Sequence, residues 1–164
     1  MKTIDLIRGA MHMADKTTGR LADDMRDAPL TRPTARGGNH PLWLLGHLAV
    51  VEGAIPQIAF GESNHVGHWE PLFGQGTTPS DDAAAYPPYE EVLGTYRDLR
   101  RRNLARLEEI GEAGLDTAPK AVPPGFEDEM RTVGQTFLTV AMHQMIHYGQ
   151  LADARRAAGR QPFI

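Results

Sequence analysis

Residues 39–61 read NHPLWLLGHLAVVEGAIPQIAFG, and this stretch decides the fold. Asn39 is a favourable N-cap, and Pro41 is tolerated in the first turn, where its missing N–H has no intrahelical partner anyway. From Leu42 to Phe60 the residues are apolar nearly all round, which predicts a helix buried on most sides. Pro56 weakens or kinks its last turn and Gly61 ends it.

Upstream, Ile4, Ile7, Met11, Ala14, Thr18, Leu21 and Met25 recur in steps of three and four. That predicts a helix over about residues 3–27, broken by the stretch Pro29–Gly38. Downstream, residues 61–86 form a connection rich in Gly, Ser, Thr and Pro, of a length that is usually functional or mobile. A third helix is expected from Pro87-Pro88-Tyr89 to Ile110, with Tyr89, Val92, Tyr96, Leu99, Leu107 and Ile110 facing inward. Asn103 lies on that stripe and needs a polar partner if buried. After a second connection, with Pro119, Pro123, Pro124 and Gly125, the fourth helix runs from an N-cap at Thr132 to about Ala158, stopped by Gly159. No strand-like alternation or internal repeat stands out. The reading is all-α: residues 1–164 as one domain, a four-helix bundle with long interhelical connections that need not be simple up-and-down turns.

Composition narrows the function. The chain has 164 residues, 41% apolar and 23% charged, and a net charge of −4. An acidic balance argues against nucleic acid, whose phosphates need clustered Lys and Arg. The densest basic run, Arg97, Arg100, Arg101, Arg102 and Arg106, reads as a solvated helix face laced with ion pairs to Asp98, Glu108 and Glu109. There is no cysteine, so disulfides, thiolate ligands and a cysteine nucleophile are excluded, as fits a cytoplasmic protein. Asp5 and Arg8 interrupt the apolar N-terminus, unlike a signal peptide, and no stretch is expected to reach the ~20 apolar residues that cross a bilayer. No membrane partner is expected.

Seven histidines remain. His143 and His147 stand four apart on a helix, one above the other, so both imidazoles can reach one ion. His47 lies mid-helix among apolar neighbours, where burial costs free energy unless the ring is bonded or liganded. It is either a third ligand or a core histidine bonded to a backbone carbonyl or to Tyr148. Gly46 beside it, a poor helix former, suggests close approach of another helix or of a ligand. The frame His143-Gln144-Met145-Ile146-His147 matches the zinc-peptidase motif H-E-x-x-H except that Gln144 replaces the Glu, so the general base is missing. The Glu-x-x-His of di-iron bundles occurs only at Glu62–His65, in a connection. His40, two turns before His47, borders the site entrance or, the more ordinary reading, lies at the surface or caps its helix. His65 and His68 read first as solvated histidines of the connection and otherwise as lid, proton carrier or fourth ligand, and Gln144 and Gln150 are candidates for orienting the ligands. Trp43 and Tyr148 read as packing or dimer residues, and His12 is assigned no role.

The succession N-H-P-L-W-L-L-G-H-L-A, W-E-P-L-F-G-Q-G, T-V-G-Q-T-F-L-T-V-A-M-H-Q-M-I-H-Y-G-Q-L and G-R-Q-P resembles the DinB-like family over nearly the whole chain. The resemblance implies a four-helix bundle, often a homodimer, with a divalent-metal site at His47, His143 and His147 holding nickel or zinc, or else iron. It also implies a reaction class, because characterised relatives include S-transferases and isomerases that use low-molecular-weight thiols. The expectation is therefore a metal-dependent enzyme that activates a small thiol toward a small electrophilic substrate. The alternatives are a hydrolase using metal-bound hydroxide, and a non-catalytic metal-binding stress-response module.

Overall fold

A computed structural model describes residues 1–34 and 38–163; of the predicted break at Pro29–Gly38, residues 35–37 lie outside the described residues. The fold is all-α, with α1 (Thr3–Asp24), α2 (Pro41–Phe60), a short α3 (Glu70–Phe73), α4 (Tyr89–Gly114) and α5 (Val133–Ala157), and no strand among the described residues. Helix α1 packs against α5 and α4, and α2 against α4 and α5. The pairs Ala14–Gln144 and Asp24–Arg155 advance together along α1 and α5, so these helices run in the same sense. Glu52–Asn103 and Phe60–Arg106 show the same for α2 and α4, whereas Asp23–Arg97 and Arg8–Glu108 show α1 and α4 opposed. Since α2 and α4 are parallel neighbours, the connection between them must return along the bundle, which accounts for its length.

That connection is more structured than the sequence suggested. It contains α3 and 3₁₀ turns at Gly67–Trp69 and Ala83–Ala85, and it buries Val66, Trp69 and Phe73. Four residues are too few for a periodicity to register, so α3 left no trace in the pattern. Gly46 explains part of its docking. A Cβ there would lie 2.3 Å from the Phe73 ring, so the close approach expected at Gly46 is made by the connection rather than by a long helix.

Most predicted ends hold. Thr132 caps α5 through its hydroxyl in a capping box with Gln135, an arrangement typically worth about 1 kcal/mol. The first helix stops at Asp24, slightly short of its expected end. Helix α4 is interrupted after Ile110 by Gly111 (φ +61°), then continues for one more turn. The cap of α2 is His40 rather than Asn39, since the His40 Nδ1 accepts the Trp43 N–H at 3.1 Å. The expectation about membranes also needs correction. By length and composition α2 could cross a bilayer, because one Glu and one His barely lower its hydropathy, yet 78% of its most apolar stretch is buried inside the bundle.

The core falls into two apolar clusters. One gathers Leu42–Leu45, Leu48, Val92, Leu93, Tyr96 and Leu151 with the connection's Trp69 and Phe73. The other gathers Ile4, Ile7, Met11, Ile55, Leu107 and Phe137. Between them in sequence lie buried polar residues: Glu52 on α2, Arg100 and Asn103 on α4, and Gln144 on α5. The basic run is thus only in part a solvated face. Arg97, Arg101, Arg102 and Arg106 make exposed ion pairs, but Arg100 is 1% exposed. It stands four after Tyr96 and three before Asn103, on the inward stripe.

Candidate metal centre

Antiparallel packing of α2 on α5 brings His47, His143 and His147 together, their ligand atoms all within 4.8 Å of one another. His143 is the hub: its Nε2 lies 3.3 Å from the Nε2 of His47 and 3.1 Å from that of His147. Nitrogens held at ~2.0–2.1 Å around a tetrahedral ion stand about 3.3 Å apart, so these separations need little adjustment.

The outer nitrogens set the inner ones. The His47 Nδ1–H donates to the Phe73 carbonyl at 2.7 Å, and the His147 Nδ1–H donates to Gln150 Oε1 at 2.7 Å. With those protons outside, both rings turn an Nε2 lone pair inward. Only His143 can place an Nε2–H between them, and one proton faces two lone pairs. The cluster therefore has more acceptors than donors, a balance that a cation completes. His47 is thus bonded to a backbone carbonyl and also pointed at the other two rings; the two readings of this residue are compatible. Trp43 stacks on His47 with centroids 4.8 Å apart and planes 8° from parallel, and is itself held by its indole N–H donating to Thr77 Oγ1 at 3.0 Å.

Burial first of all, together with the neighbouring His147 and His47, lowers the pKa of His143 to about 4. Burial lowers His47 and His147 likewise. The three rings are therefore neutral at physiological pH, the form that binds metal. Burial also lowers His40, whose Nε2–H donates to the Ser80 carbonyl at 2.9 Å. Each of these groups is harder to protonate folded than unfolded, so the unfolded chain takes up protons first as pH falls. The stability they contribute is whole above the ordinary value of 6.5 and is lost as pH drops toward the folded values. Thermal melts of metal-free protein should be level from pH 8 to 7 and fall by several degrees between pH 6.5 and 4.5. A midpoint unchanged to pH 4.5 would contradict this account.

The other candidates lie apart from the triad. His40 is a fully buried helix cap. His12, His65 and His68 are exposed, with His68 edge-on to Trp69. Gln150 touches His147, but Gln144 turns away from the triad toward α1 and α4 and bonds Arg100, Tyr96 and the Ala14 carbonyl. Sequence reasoning missed the Phe73 carbonyl, since a backbone acceptor carries no residue signature, and it missed Arg100, which the inward stripe of α4 could have revealed.

The model of the DinB superfamily matches residues 10–151, and the chain belongs to that superfamily. No curated protein matches the chain. Within the superfamily, this chain carries a three-histidine group able to hold a metal ion.

Proposed function

We propose that the protein is a metal-dependent enzyme that joins a low-molecular-weight thiol to an electrophilic substrate. The observation that carries this reading is a converging set of three neutral imidazoles with no carboxylate among them. Neutral ligands leave a divalent ion its full charge and an open position, and that charge would hold a thiol as its thiolate. The chain's own part is to hold His47 on Phe73 and His147 on Gln150, keep the three rings unprotonated, and wall one side with Trp43. In balance, the thiol gives its proton to solvent, its sulfur bonds the electrophilic carbon as the bond from that carbon to the leaving group breaks, and the leaving group departs with the bonding pair. A chain without cysteine takes its sulfur nucleophile from a co-substrate. Glu52, the acid nearest His47 in sequence, is sealed in an ion pair with Arg100 and is no base for hydrolysis. Zinc and nickel suit the donor set, and the cytoplasm, where small thiols stay reduced, is the fitting compartment.

The test incubates zinc- or nickel-loaded protein with a panel of small thiols and a chromogenic aryl halide. Thiol consumption that needs both metal and His143 supports the reading. Turnover of ester or amide substrates without thiol would replace it with the hydrolase. A homodimer is proposed as well, supported by an exposed apolar face of Leu6 and Met13 on α1 and Leu138, Met142 and Ile146 on α5. Sedimentation should give twice the chain mass, and Ile146→Glu should reduce it to one.

A further inference from the structure

Pro56 has no N–H, so the Glu52 carbonyl one turn earlier lacks its helical donor. Asn103 supplies it: its Nδ2 donates to that carbonyl at 2.9 Å and to Glu52 Oε2 at 2.8 Å. Glu52 Oε1 pairs with Arg100 Nη2 at 2.5 Å. Arg100 donates in turn to Gln144 Oε1, and Gln144 Nε2 donates to the Tyr96 hydroxyl and, at 2.9 Å, to the Ala14 carbonyl. One connected set of bonds thus ties α2, α4, α5 and α1 together between the two apolar clusters.

Stability alone does not account for it. Arg100 Nε and Nη1 are buried without partners among the described residues, and exchanging a buried ion pair for apolar side chains is often neutral or stabilising. Apolar contacts, however, fix the rotation of a helix about its own axis only loosely, whereas directional bonds fix it tightly. Gln144 follows His143 directly and points roughly 100° around α5 from it. Anchoring Gln144 toward α1 and α4 therefore sets the direction in which His143 and His147 project onto α2. Glu52 anchors the other end of the same bonds on the helix that carries His47.

We propose that Glu52, Arg100 and Gln144 are positioning residues, a buried polar key that sets α5 against α2 so that the three histidines converge, without touching what the histidines bind. This rests on the metal-centre reading. Its test uses Co²⁺ as probe on the full chain, with Gln144→Met, the double variant Glu52→Met/Arg100→Met, and Leu107→Ala as a core-weakening control away from the key. Both Met variants should remain helical, bind Co²⁺ roughly 10–100-fold more weakly, as expected for loss of support behind the ligands, and show altered visible absorption of the bound ion. The control should melt lower yet keep the wild-type affinity and spectrum. If the double variant does not fold, Gln144→Met decides. Wild-type affinity and spectrum in Gln144→Met would overturn the proposal, and so would a spectrum changed equally by Leu107→Ala. Wild-type protein that takes up no Co²⁺ would instead remove the centre itself.

Discussion

Replacing His143 with alanine is expected to abolish metal binding while leaving the bundle folded. His143 is the hub of the cluster, 3.3 Å and 3.1 Å from its two partners, so its loss leaves His47 and His147 without the donor that joins them. Four-ligand structural zinc sites are worth roughly 10–16 kcal/mol, about 3 kcal/mol per ligand, so affinity should drop by at least about 100-fold. The fold should tolerate the change, since the His143 Nδ1 is buried without a partner among the described residues and alanine is a better helix former than histidine. His47→Ala should lose metal as well, but at a structural cost, because it orphans the Phe73 carbonyl and removes the stack with Trp43. Metal per chain after dialysis, read beside circular dichroism, checks both. Near-stoichiometric metal in His143→Ala would refute the centre.

Arg100→Ala is expected to be the most damaging single change away from the histidines, at about 3–5 kcal/mol, the usual result of stranding one member of a buried ion pair. Burial pushes the Glu52 carboxyl up, and Arg100 is the main influence drawing it back. Without Arg100 the folded carboxyl keeps a proton that the unfolded chain releases. A raised folded pKa favours the native state at low pH and loses that advantage as pH rises above 4.5, so the damage should be greater at pH 8 than at pH 5.5. Urea unfolding at the two pH values measures this. A loss below about 1 kcal/mol at both would show that Glu52 finds another partner or water.

The sequence showed its long helices plainly because each carries a periodic stripe or a near-continuous apolar run, with turn chemistry at the ends. Gly61, Thr132 and Gly159 stand where the helices α2 and α5 need them. Of the triad, the His143/His147 pair was legible from its four-residue spacing on α5, whereas spacing left His47 open between ligand and core histidine, and the family resemblance joined it to the pair. What escaped notice depends on partners distant in sequence. A capping role for His40 was among its readings, but the Ser80 carbonyl that holds the ring lies forty residues away, and nothing in the basic run sets Arg100 apart except its distant partner Glu52. The α3 turn is defined by the space at Gly46 that its Phe73 fills, which no property of EPLF announces.

The separation of His47 from His143 along the chain has a thermodynamic meaning of its own. The two positions are 96 residues apart, and helices consecutive in the chain, α1 with α2 and α4 with α5, lie across the diagonals of the bundle. Little of the fold can therefore form from one hairpin alone. Any ligand that bridges His47 and His143 closes a loop spanning more than half the chain, and a covalent bridge over such a distance withdraws about 4.7 kcal/mol of unfolded-state entropy. In a protein without disulfides, an ion held by the three histidines would act as a reversible cross-link, and the protein's heat resistance would then be tied to the supply of that ion.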